Sequence, residues 1–130
     1  MTFSADPYCY PGTAVLINQG GFRLQTELDQ FEADAFLLAS AKLRTNPIPG
    51  KFEIHRLLET HRRLFSRVYP WAGELRKDTG ALTKAREWGQ IVTYGPSVHV
   101  PAALDAAFGK LKQDRHLQGL DADDLARQLA

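Results

Sequence analysis

Two proline-bearing breaks constrain this chain more than any other feature of its sequence. They are Pro47-Ile48-Pro49-Gly50 and Tyr69-Pro70-Trp71-Ala72-Gly73, and each closes a stretch whose apolar residues recur at helical spacing. A proline ring locks φ and removes a backbone donor, so no helix runs through either break. Upstream of the first, Leu24, Leu28, Phe31, Ala35, Leu38 and Leu43 recur at three- to five-residue steps and predict a first helix with one apolar face. Between the breaks, Ile54, Leu57, Leu58, His61, Leu64, Phe65 and Val68 share a face, while Arg56, Glu59, Arg62 and Arg63 take the others. That pattern predicts a second helix running from about Phe52 to Val68.

The flanks read differently. Residues 1–23 carry turn formers (Asp6-Pro7, Pro11-Gly12, Gly20-Gly21) around one apolar run, Ala14 to Ile17, and predict an ordered arm with a brief helical turn near Val15. From Glu74 to Gly95 the helical period is lost, glycines recur at 80, 89 and 95, and Ile91-Val92-Thr93-Tyr94 favours a strand. A β-hairpin is expected there, turning between Thr83 and Gly89. Pro101 suits the first turn of a third helix with Val100, Leu104, Ala107, Phe108 and Leu111 on its apolar face. Asp121 is a good N-cap for a fourth, with Leu120 and Leu125 placed for a hydrophobic staple and Asp124 near the positive helix end. Leu125 and Leu129 give that helix an apolar face. The expected architecture is all-α, four main helices with one hairpin, in a single domain.

Composition excludes several functions. At 130 residues, 44% hydrophobic and 24% charged, the chain suits one globular, soluble domain. A net charge of +1, with the basic residues dispersed, gives no electrostatic reason to expect nucleic acid or an anionic membrane as partner. Cys9 is the single cysteine, which rules out an intrachain disulfide and suits a reducing cytosol. The start of the chain lacks the charged and apolar regions of a secretory signal, and no apolar run approaches the ~20 residues a membrane helix requires.

Two strings carry a resemblance. Asp6-Pro7-Tyr8-Cys9-Tyr10-Pro11-Gly12-Thr13, followed by Val15-Leu16-Ile17-Asn18, matches the opening DPYxYPGTxVLxN of the Fic family. His61-Arg62-Arg63-Leu64-Phe65, running into Val68-Tyr69-Pro70-Trp71-Ala72-Gly73-Glu74-Leu75-Arg76, matches that family's HRxLFxxVYPWAGExR. More weakly, residues 77–94 sit where the family places a β-hairpin flap. The resemblance, which spans essentially the whole chain, implies a Fic-like helical bundle with one β-hairpin flap. Residues 1–23 would be an N-terminal arm, 24–73 two core helices, 74–95 the flap, and 96–130 two further helices. The typical Fic domain transfers AMP from ATP, with magnesium, to a hydroxyl on a target protein, while some relatives transfer phosphate or phosphocholine. Their catalytic motif, roughly HPFxxGNGRxxR, follows the helix beginning here at Asp121, and neither His55, His61, His99 nor His116 is followed by Pro-Phe or Gly-Asn-Gly-Arg.

A hydroxyl attacking a phosphoryl group needs a base within hydrogen-bond reach and positive charge on the developing anion. With that motif absent, the chain is assigned no catalytic and no metal-binding residue. It is expected to be the scaffold and target-docking part of a protein adenylyltransferase, inactive by itself and binding neither ATP nor magnesium well. The alternative is a non-catalytic interaction module or a truncated toxin remnant. Lys84 and Ala85 fall where the family flap carries a Lys-Gly pair near the nucleotide, with alanine replacing the glycine. Thr79, Gly80, Ala81, Leu82 and Thr83 fall on the flap edge that in the family holds a target segment by strand addition; a plain loop packing Leu82 on the body is the other reading. His61 reads as a structural imidazole bonded to backbone, Trp71 as a core plug, and Arg76 as half of an ion pair at the flap base. Thr83-Lys84-Ala85-Arg86-Glu87-Trp88 falls short of the family's inhibitory Ser/Thr-x-x-x-Glu-Gly/Asn. Silencing by a small antitoxin-like partner or by a C-terminal helix is therefore expected. Expected partners are the target protein and a second copy of the chain, and the expected location is cytoplasmic, or translocated if the chain is part of a secreted effector.

Overall fold

The computed structural model describes residues 6–77, 83–85, 91–93 and 96–129. In chain order the elements are α1 (Gln25–Thr45), α2 (Ile54–Phe65), β1 (Thr83–Ala85), β2 (Ile91–Thr93), α3 (Val100–Gln113) and α4 (Ala122–Leu129), with 3₁₀ turns at Ser97–His99 and Arg115–Leu117. The chain is a helical fold, as the periodicity predicts.

The arm is extended rather than helical near Val15. Tyr10 N–H donates to the Val15 carbonyl at 2.9 Å and Ile17 N–H to the Tyr8 carbonyl at 2.8 Å, and Cys9 and Leu16 form an antiparallel bridge. The cause is local. Gly12 takes a positive φ of 74°, and Thr13 Oγ1 donates to the Tyr10 carbonyl while accepting from Val15 N–H, so the chain folds back before a helical turn can form. Asn18 closes the next loop: its amide donates to the Leu16 and Phe22 carbonyls, and its Oδ1 accepts from Phe22 N–H. Gln19 N–H then reaches the Val68 carbonyl at 2.7 Å, tying the arm to the end of the second helical segment.

The core is Val15, Leu28, Ala35, Val68 and Tyr69, with Tyr10, Leu16, Phe22, Phe31, Phe65 and Trp71 packed against it. α1 contributes a narrower stripe than its sequence period predicts: Leu28 and Ala35 are buried, whereas Leu24 and Leu38 stand 61% and 55% exposed. α2 is the main partner of α1 and is shorter than expected, ending at Phe65. Beyond it the chain turns through Val68 and Tyr69 amides that both donate to the Phe65 carbonyl, which buries Val68 completely.

β1 and β2 pair antiparallel, with Thr83 opposite Thr93, Lys84 opposite Val92 and Ala85 opposite Ile91. Thr83 to Ala85 form the first strand, and residues 86–89, the remainder of the span in which the turn is expected, lie outside the described residues. α3 carries Pro101 in its first turn and turns Leu104, Phe108 and Leu111 inward, leaving Ala107 exposed. α4 is capped as its sequence implies, Asp121 Oδ1 accepting from Asp124 N–H at 2.8 Å. Leu120, Leu125 and Leu129 are exposed.

Candidate functional site

The features singled out from the sequence converge on the corner where the arm meets the turn after α2. Gly73, at a φ of 81°, turns the chain across α2 and donates its N–H to His61 Nδ1 at 2.9 Å. The acceptor must be unprotonated, so the imidazole carries its proton on Nε2. Burial pushes the His61 pKa down, which keeps the ring neutral and the bond intact. Its ring also lies 4.9 Å from that of Phe65. His61 is thus the structural histidine its position on the inner face implies, held by backbone.

Trp71 meets Tyr8 edge-on at 5.1 Å and stacks on Tyr69 at 4.9 Å, filling the corner between arm and core. Tyr69 donates its hydroxyl to Glu32 of α1, and burial with the nearby Glu32 carboxylate raises its pKa well above the usual phenol range. Arg76 forms the anticipated ion pair. Its Nη1 donates to Asp6 Oδ1 at 3.2 Å and Oδ2 at 3.1 Å, and the guanidinium lies 4.7 Å over the Tyr8 ring. Sequence reasoning foresaw a carboxylate for Arg76 but not which one; the signal was available, since Asp6 opens the first family-like string. Lys77 N–H donates to the Tyr8 hydroxyl oxygen at 2.7 Å. Cys9 donates weakly to Asp6 Oδ2, and burial, aided by that carboxylate, raises its pKa, which disfavours the thiolate.

Of the proposed nucleotide and docking residues, Thr83, Lys84 and Ala85 form β1. Thr79, Gly80, Ala81 and Leu82 lie outside the described residues. The structure gives Lys84 and Ala85 a backbone position in β1. Among the described residues no group of three or more His, Cys, Asp and Glu is placed to hold a metal ion. Two of the cavities lined by described residues flank α2 and were not anticipated. One, of about 560 Å³, runs between α1 and α2 over Leu38, Leu43 and Leu64 with Lys42, Arg63 and Arg67 at its rim. The other, of about 350 Å³, is lined by Ile48, Phe52, Leu57 and Phe108 among others. Arg63 is not free to serve a ligand: it pairs with Glu59 at 3.2 Å and donates to the Asn46 carbonyl. No helix among the described residues is long and apolar enough to cross a membrane.

No family model matches the chain. It is 32% identical over 130 residues to the protein adenylyltransferase VbhT of Bartonella schoenbuchensis, covering 96% of this chain and 25% of that protein. To the probable protein adenylyltransferase y4lH of Sinorhizobium fredii it is 39% identical over 71 residues, 55% of this chain and 35% of the relative. Among solved structures it is similar to the N-terminal Fic domain of a Bartonella effector protein, a substrate of the VirB type IV secretion system, from Bartonella sp. AR 15-3: TM-score 0.70, 26% identity, 92% of this chain and 56% of that one. It shares its fold with the VirB-translocated effector BepC of Bartonella tribocorum, crystallised with AMPPNP: TM-score 0.69, 22% identity, 88% of this chain and 59% of that one. The chain therefore spans a quarter to a third of the curated relatives and a little over half of the solved domains.

Proposed function

We infer that this chain, a portion of a Fic-family domain, is the scaffold and target-docking part of a protein adenylyltransferase. The observation that carries this reading is the match to VbhT over 96% of the chain, together with the similarity to a solved Fic domain at a TM-score of 0.70 over 92% of it. In the complete domain, ATP supplies the adenylyl group that a target hydroxyl receives. This chain's own contribution is positional. The β1–β2 ribbon is the flap, offering backbone donors and acceptors to an extended target segment, with Thr79 to Thr83 as the docking edge. Lys84 and Ala85 stand beside the nucleotide, Lys84 offering a positive charge to its phosphates. Residues 1–23, 24–73, 74–95 and 96–130 act as arm, core helix pair, flap and closing helices of one domain.

Two experiments test this. The full reading frame, expressed and incubated with lysate and ATP labelled at the α-phosphate, transfers label to a protein, whereas residues 1–130 alone do not. A frame lacking a His-Pro-Phe and Gly-Asn-Gly-Arg stretch, or one that labels nothing, refutes the enzymatic reading. In a pull-down with the full-length protein, Thr83→Pro removes one backbone donor from the edge and weakens target capture. Undiminished capture refutes the docking edge.

A second reading, a non-catalytic module that self-associates or binds an antitoxin-like partner, is favoured by the exposure of Leu120, Leu125 and Leu129 on and beside α4. It predicts no labelled protein from any version of the chain. A cytoplasmic location, or translocation as for the VirB-translocated relatives, is part of the proposal.

A further inference from the structure

β1 and β2 are three residues each and pack chiefly on each other among the described elements. A two-stranded ribbon of this length is marginal in water by itself, so the segments leading into it bear on its position. The described stem ends at Lys77, and there the arm grips it. Asp6 takes the Arg76 guanidinium at 3.1 and 3.2 Å, 70 positions away in sequence, and the Tyr8 hydroxyl accepts from Lys77 N–H at 2.7 Å, 69 positions away. The gripping residues are themselves held. Tyr8 N–H donates to Asp6 Oδ1 at 2.9 Å, the Tyr8 carbonyl accepts from Ile17 N–H, and its ring meets Trp71. The ion pair is sheltered, the Asp6 and Arg76 side chains being 21% and 34% exposed, so it is less screened than a pair standing in solvent.

We propose that Asp6 and Tyr8 form a latch on Arg76 and Lys77 that fixes the β1–β2 ribbon relative to the helical body. They are positioning residues, acting on the ribbon through its stem. Only the latch's use in docking rests on the flap reading; the latch itself is a property of the chain. Its tie is charge-assisted and intramolecular and joins residues 70 and 69 positions apart, so the arm is coupled to the chain leading into the ribbon, with α1 and α2 between them in sequence.

Amide hydrogen exchange on residues 1–130 tests it without nucleotide or target. Asp6→Asn and Arg76→Gln each raise exchange in β1 and β2, about twofold to fivefold for the loss of a partly sheltered ion pair, and leave α1 and α2 unchanged. The double variant D6N/R76Q does no worse than either single one, because both remove the same pair. Tyr8→Phe, which keeps the ring and deletes the acceptor, raises exchange at Lys77 and in the ribbon. The latch is overturned if ribbon exchange is unchanged in these variants, if the two single effects add, or if α1 and α2 lose protection equally. A ribbon unprotected in the parent chain overturns it too, since nothing would then be held. Loosened exchange with undiminished target capture leaves the latch standing and refutes the docking edge instead.

Discussion

Gly73→Ala is the sharpest probe of the corner that holds this fold together. A Cβ added at Gly73 falls 2.6 Å from Arg62 Cβ, 3.0 Å from the Leu58 carbonyl oxygen and 3.3 Å from Arg62 Cγ. Two of these atoms, the carbonyl and the Cβ, are fixed by the α2 backbone and cannot swing away. Three costs follow. Alanine at a φ of 81° costs about 1–2 kcal/mol. Forcing a methyl group into filled space costs ~1–3 kcal/mol. Moving the turn away from α2 breaks the Gly73–His61 hydrogen bond, worth about 1 kcal/mol. The sum is roughly 3–6 kcal/mol, a large fraction of the ~5–15 kcal/mol that separates a native domain from its unfolded chain. Gly12→Ala is the matched control: its φ is 74°, but nothing lies within 4 Å of the added Cβ, so only the backbone cost of ~1–2 kcal/mol applies. Urea unfolding followed by far-ultraviolet circular dichroism gives both values, with unchanged slopes confirming a stability effect. If the two variants agree within ~0.5 kcal/mol, about the additivity error for independent sites, the close approach of Gly73 to α2 is wrong.

Leu28→Ala, at a fully buried side chain, destabilises by ~2–5 kcal/mol, whereas Leu38→Ala, at an exposed one, changes the urea midpoint little. Gly109→Ala, inside α3 with open space around the added methyl group, stabilises by about 0.5–1 kcal/mol; a loss on the same assay contradicts the helix there. His61 has a folded pKa below its unfolded value of about 6.5, so the unfolded chain binds the extra proton; stability is fully present above that pH and falls as the pH drops toward the folded pKa. Thermal melts between pH 7.5 and 5 show this decline, and His61→Gln flattens it; an equal decline in the variant assigns it to another group.

Much of the fold was legible in the sequence because proline and glycine act locally. Pro47 and Pro49 stand just past the end of α1, where backbone chemistry requires a stop, and Asp121 marked the start of α4 by the same logic, whereas α2 ends at Phe65, ahead of Pro70. The inward placement of His61 and the ion pair of Arg76 followed from residue type and helical period, the fold from two long strings shared with one family. Tertiary structure decided the rest. A period of 3.6 tells which side chains share a face but not how much of that face a partner covers, so Leu24 and Leu38 were expected inside and stand in solvent. The run Ala14–Ile17 allowed a helical turn, and the Thr13 hydroxyl together with contacts from Tyr8 and Tyr10 made it extended instead. Asp6 and Tyr8 could be recognised as family-like residues, but only folding brought them 70 and 69 positions along the chain to Arg76 and Lys77. Local rules set the elements. Which carboxylate meets which guanidinium, and which leucine meets water, depended on contacts between segments that the sequence keeps far apart.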